Sequence, residues 1–108
     1  MADISTHAEA AREKTARVQI ATLGTALHAY ALDVGRYPSS SIGLDALVNA
    51  PADTDRWDGP YLTGRSIPKD PWGAAFGYSE PTASRGYEIR SFGPDGKRSD
   101  DDISSNDF

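Results

Sequence analysis

Five aspartates fall within the last 16 residues of the 108-residue chain, Gly93 to Phe108, against one lysine and one arginine. Three of the chain's five net negative charges therefore sit in these 16 residues, and four of the five aspartates fall in Phe92-Gly93-Pro94-Asp95-Gly96-Lys97-Arg98-Ser99-Asp100-Asp101-Asp102-Ile103. Adjacent carboxylates repel one another unless water or a cation screens them. Ca²⁺ suits the pattern, because it takes about six to eight oxygen ligands, mixes carboxylates with backbone carbonyls and tolerates irregular geometry. Mg²⁺ demands tighter octahedral geometry and keeps its waters. Gly93, Pro94 and Gly96 bend the chain so that Asp95 and the later aspartates can face one point. An EF-hand does not fit: with Asp95 first, Lys97 takes the third position and no Glu takes the twelfth. An acidic run near a chain end also describes a solvated tail, and charge alone leaves both readings open.

No other part of the sequence gathers reactive groups. There is no cysteine, so disulfides and Cys-based zinc sites are excluded. His7 and His28 lie far apart with no second ligand at helical spacing. Ser39, Ser40 and Ser41 have no nearby base and read as helix caps. Asp70, between Lys69 and Pro71, reads as a turn acceptor, and Tyr30, Tyr37, Tyr61 and Trp72 as core and turn anchors. A net charge of −5 without a basic stripe argues against a nucleic-acid partner. No apolar run approaches the ~18 residues of a membrane span, and the first residues are too polar for a signal peptide.

The elements that must position the aspartates belong to one domain, residues 1–108. Residues 8–34 read as one long helix, with Ile20, Leu23, Leu27, Tyr30 and Val34 forming an apolar stripe and alanines supplying propensity. Gly24 is its weak point, and Gly35 and Pro38 end it. The half before Arg17 is polar and is expected to project, the later half to pack. The abrupt start at Met-Ala-Asp suggests an upstream segment that this chain lacks. Residues 35–73 read as a short helix (Ile42 to Asn49) and rigid turns, and residues 74–92 as a β-hairpin, with strands Ala75–Ser79 and Tyr87–Phe92. Residues 93–108 form the aspartate loop and tail. The fold class is α+β, a long helix against a small antiparallel sheet.

The order of motifs resembles that of the major pseudopilins (protein G) of bacterial type II secretion systems. It is carried by Leu32-Asp33-Val34-Gly35-Arg36-Tyr37-Pro38, Gly43-Leu44-Asp45-Ala46-Leu47-Val48 and Gly59-Pro60-Tyr61-Leu62. Ile67-Pro68-Lys69-Asp70-Pro71-Trp72-Gly73, Ser91-Phe92-Gly93-Pro94-Asp95-Gly96 and Asp101-Asp102-Ile103 complete it. The resemblance implies a pilin-like fold and a structural, non-enzymatic role. The subunit would self-associate into a periplasmic pseudopilus, with minor pseudopilins and inner-membrane secretion components as partners, and drive folded proteins across the outer membrane. Family members carry an apolar inner-membrane anchor that a prepilin peptidase trims and methylates, and no such processing site can be carried over here. The resemblance also implies Ca²⁺, held by the side chains of Asp95, Asp101 and Asp102 and the carbonyls of Phe92, Lys97 and Ser99. The loop is about one residue shorter than the family pattern, which leaves Asp100 as an alternative to Asp101. The Trp usual after Asp-Asp-Ile is replaced by Ser104-Ser105-Asn106-Asp107-Phe108. The nearest rival is another pilin-like filament, a type IV pilus or competence pseudopilus. A metal-dependent hydrolase lacks base, nucleophile and cleft, and a free-standing calcium module remains the third reading.

Overall fold

The computed structural model describes residues 4–52, 54–64, 66–93 and 102–107. A single helix, α1, runs Ile4–Val34 over 31 residues. Its stripe is Ala16, Ile20, Leu23, Leu27 and Tyr30, all buried and spaced four, three, four and three apart. That spacing keeps them on one face of a helix. Thr15, Thr22 and Thr25, poor helix formers, turn their hydroxyls back onto the carbonyls of Ala11, Val18 and Ala21 at 3.0, 3.0 and 3.1 Å. Gly35, at φ 93°, donates its N–H to the carbonyl of Ala31 at 2.9 Å and closes the helix in the left-handed conformation that glycine tolerates.

The expected short helix is a 3₁₀ turn, Gly43–Leu47. Leu44, Ala46 and Leu47 point inward from it as the apolar spacing requires. Ser39 supplies part of its start, with Gly43 N–H on the Ser39 carbonyl at 2.8 Å. Trp57 Nε1 donates to the Ala46 carbonyl at 2.7 Å, and Tyr61 N–H to the Leu47 carbonyl at 2.7 Å. Tyr61 also donates its hydroxyl to Asp33 Oδ2 at 2.8 Å, so the turn after Gly59 is pinned to the end of α1.

The sheet has three antiparallel strands, β1 (Gly77–Ser79), β2 (Glu88–Ser91) and β3 (Ile103–Ser104), in that order. The hairpin of β1 and β2 pairs Gly77 with Arg90 and Ser79 with Glu88. The third strand is an addition to the two that alternation reveals, because two residues are too few to show a period. Ile89 and Ile103 meet the apolar stripe of α1 in one core with Leu44, Leu47 and Phe76.

Two details alter the reading of α1. At Gly24 the ring of Tyr87 comes close to α1: a Cβ there would lie 2.7 Å from the Tyr87 hydroxyl. The propensity lost to glycine is thus the condition for that contact. The early half of the helix is largely exposed but does not simply project. Trp72 donates Nε1 to both carboxylate oxygens of Glu9 at 3.3 Å, and Gln19 Nε2 donates to the Lys69 carbonyl at 3.0 Å.

Burial raises the phenols of Tyr30, Tyr61, Tyr78 and Tyr87 above their ordinary value, Tyr78 most strongly. A raised phenol means that the native state holds its proton more tightly than the unfolded chain. The associated stability is complete below the ordinary value of about 10 and is lost as pH rises beyond it. Alkaline unfolding above about pH 10 should therefore coincide with a jump in phenolate absorbance. A smooth titration of all these tyrosines at the ordinary value, with far-ultraviolet circular dichroism unchanged, would contradict this burial.

Candidate functional site

β2 and β3 are the two posts between which the aspartate loop hangs. Their register pairs Arg90 with Ser104 and Ser91 with Ile103. One step further along, Phe92 leaves β2 and Asp102 enters β3, so the sheet itself brings the two ends of the loop side by side. Gly93, buried and at φ 73°, begins the loop in a conformation that favours glycine.

Of the predicted site residues, Phe92 and Asp102 lie in this described frame. Asp95, Lys97, Ser99, Asp101 and the alternative Asp100 lie outside the described residues. Among the described residues no three His, Cys, Asp or Glu side chains converge as a metal cage. Asp102 does sit where the loop returns, with its side chain 2% exposed.

A polar network that sequence reading missed surrounds it. Arg90 spans two carboxylates, with Nη1 on Asp102 Oδ2 at 3.0 Å and Nη2 on Glu88 Oε2 at 2.7 Å. Glu88 Oε2 also accepts from Ser104 Oγ at 2.7 Å and Asn106 Nδ2 at 3.1 Å. Burial works to raise the Glu88 carboxyl, but the Ser104 hydroxyl and the Arg90 charge outweigh it and hold the group below its ordinary value. Burial likewise opposes the Arg90 charge, and Asp102 and Glu88 together more than restore it. The sequence does contain a hint. Glu88 and Arg90 are two apart on a strand and so share a face, which makes them natural partners.

On the opposite, core-facing side, Ser91 donates its hydroxyl to Asp70 Oδ2 at 2.8 Å. Asp70 Oδ1 accepts the backbone N–H groups of Trp72 and Ala74 at 3.1 and 2.8 Å, the turn role expected of it. Ser105 Oγ accepts the N–H of Ile89 at 2.9 Å and holds the segment after β3 against β2. His28, exposed, pairs its Nδ1 with the Tyr37 hydroxyl at 3.0 Å, in an aromatic group with Tyr87.

This layout of helix, three-stranded sheet and loop-bearing posts can be compared with known proteins. A sequence profile described as type II secretion system (T2SS), protein G, matches residues 3–106. The chain belongs to that family. It is 40% identical over 100 residues to the type II secretion system core protein G of Aeromonas hydrophila, an alignment covering 88% of this chain and 68% of the relative. To the core protein G of Klebsiella pneumoniae it is 39% identical over 100 residues, covering 88% and 69%. The crystal structure of the major pseudopilin from the type 2 secretion system of enterohaemorrhagic Escherichia coli superposes with a TM-score of 0.82 at 30% identity. That match covers 100% of this chain and 97% of the other. The fold is thus pilin-like α+β, and the protein G family is a structural one of the cell envelope, with no enzymatic role. No helix among the described residues is long and apolar enough to cross a membrane.

Proposed function

We propose that this major pseudopilin domain is the periplasm-facing part of a subunit that self-assembles into the type II secretion pseudopilus and drives folded proteins across the outer membrane. The observation that carries the reading is the full-length superposition on a major pseudopilin at a TM-score of 0.82. Minor pseudopilins and inner-membrane secretion components are the expected partners. Attachment to the inner membrane would come from an apolar segment ahead of the domain. Crosslinking the subunit in the envelope, joined to such an anchor, should give a ladder of oligomers that depends on the secretion ATPase. A lone monomer band in secreting cells would exclude assembly.

The second half of the proposal is that Ca²⁺ closes the loop between β2 and β3. The side chains of Asp95, Asp101 and Asp102 would hold it, with Asp100 as the alternative to Asp101, together with the carbonyls of Phe92, Lys97 and Ser99. The donors are all hard oxygens, which fits Ca²⁺. The support within the fold is the register, which pairs Ser91 with Ile103, the chain neighbours of Phe92 and Asp102. When bound, the ion would neutralise the carboxylates and tie the two loop ends together. At free Ca²⁺ a hundredfold above the dissociation constant, this adds about 2.7 kcal/mol to the native state. For a domain of this size, chelation should then lower Tm by roughly 10–20 °C, and Asp95→Ala should mimic chelation. A Tm indifferent to both chelator and added Ca²⁺ rules the ion out.

A further inference from the structure

We infer that the exposed side of α1 on one copy of this chain docks, with Leu32 foremost, into the groove beside β1 on the next copy. This rests on the assembly reading above and names the surfaces that assembly would use. From Val18 to Leu32 the helix carries no Asp, Glu, Lys or Arg, in a chain of which 25% is charged. Val18 and Leu32 are 14 residues apart. That is close to four helical turns, so they share a face and stand about 21 Å apart along it. Val18 is 59% exposed and Leu32 86%. Thr22 and Thr25, exposed between them, engage their hydroxyls on the helix's own carbonyls, so this side offers no charge and little unmet polarity. A lone exposed leucine would need no account, but an uncharged face of this length marks a surface that a partner covers.

A surface that fits it lies on the same molecule. A groove of about 330 Å³ is walled by Leu44, Ile67, Pro68, Phe76 and Tyr78, and exposed Lys69 is the one charged residue on its lining. No residue of α1 lines it, and Leu32 faces away from the core, so within one copy the two do not meet. The charges beside them match. Among the described residues Lys69 forms no ion pair, and neither does Asp33, the neighbour of Leu32, whose Oδ2 takes the Tyr61 hydroxyl at 2.8 Å. Seating Leu32 in the groove brings this carboxylate toward that ammonium across the interface. Two different surfaces that fit each other make a heterologous contact. Such a contact repeats from copy to copy, as a filament requires, where a self-matching one would close as a dimer. A second copy of this chain is therefore the occupant.

The chain has no cysteine, so introduced thiols report chosen positions alone. In secreting cells, the anchored subunit is made with Leu32→Cys, with Ala75→Cys on the exposed groove lining, and with both, and is treated with a short thiol crosslinker. The double variant should give a ladder of oligomers and each single variant monomers. A dimer from Leu32→Cys alone, the sign of helix side meeting helix side, overturns the inference. So does an equal ladder from Leu32→Cys combined with Ser84→Cys, which lies outside the groove lining. If an amine crosslinker gives the ladder but the double-cysteine subunit does not, the docking is overturned while the assembly reading stands. Absence of both ladders overturns both. Leu32→Lys, which sets a cation against Lys69, should weaken the amine-crosslinked ladder about tenfold while leaving the domain's Tm near wild type. An undiminished ladder from that variant overturns the docking.

Discussion

Asp70→Ala is expected to destabilise the domain by about 3–5 kcal/mol, one of the two largest single-residue losses anticipated here. The carboxylate is 4% exposed and takes three hydrogen bonds. Two come from the N–H groups of Trp72 and Ala74 at 3.1 and 2.8 Å, and one from the Ser91 hydroxyl at 2.8 Å. Alanine removes the acceptor and leaves the buried Ser91 hydroxyl and the half-buried Trp72 and Ala74 N–H groups without partners, at about 1–3 kcal/mol each where water cannot enter. The damage would also spread. Asp70 shapes the turn whose Lys69 carbonyl and Trp72 indole hold α1, and its bond to Ser91 ties that turn to β2. Asp70→Asn separates shape from charge. It keeps an acceptor for the turn amides, and the Ser91 hydroxyl can rotate to accept from the new amide, so a loss nearer ~1 kcal/mol is expected. Urea melts of the three proteins give the comparison directly. An Asp70→Ala midpoint within error of wild type would show that the turn holds without its acceptor.

Leu27→Ala should cost a similar amount, about 2–5 kcal/mol, by a different route. Leu27 is fully buried, on the stripe of α1 between Leu23 and Tyr30, in the core shared with Leu47 and Ile89. The change removes apolar contact and leaves a cavity walled by several elements that cannot all collapse into it. Helix propensity does not oppose the loss much, since leucine and alanine are both strong helix formers. At about 4–8 °C per kcal/mol for small domains, Tm should fall by roughly 8–40 °C. Leu32→Ala, at a position 86% exposed on the same helix, is the control and should shift Tm by little. Equal effects at Leu27 and Leu32 would mean that the stripe of α1 has been assigned to the wrong face.

Much of this architecture is written in local patterns. Ile20, Leu23, Leu27 and Tyr30 announce α1 because a helical period repeats over many turns, and Gly35 announces its end because few residues accept that backbone. β1 and β2 are legible through alternation and the turn residues between them. The type II secretion family is legible because six short motifs recur in order, though none would suffice alone. β3 was hidden, since Ile103-Ser104 is too brief to carry a period and forms only against an existing edge. The burial of Glu88 was hidden for a related reason. On alternation it belongs to the outward face, and only the return of the chain brings Ser104 and Asn106 over it. Of the candidate site, only Phe92 and Asp102 lie among the described residues, next to the paired Ser91 and Ile103. Arg90 was not foreseen as the partner of Asp102 at 3.0 Å, because that pairing depends on strand order rather than on spacing.

The chain's two tryptophans sit at separate joints. Trp57 donates its indole N–H to the Ala46 carbonyl at 2.7 Å, beside the 3₁₀ turn, and Trp72 donates to Glu9 at 3.3 Å, near the start of α1. Each joint therefore carries its own intrinsic fluorophore. With Trp57→Phe and Trp72→Phe as complementary single-emitter proteins, the early turns of the helix and the far end of the core can be followed independently. Coincident emission curves would mark one cooperative unit, whereas an earlier Trp72 transition would mean that the first turns of α1 undock while the rest is still folded.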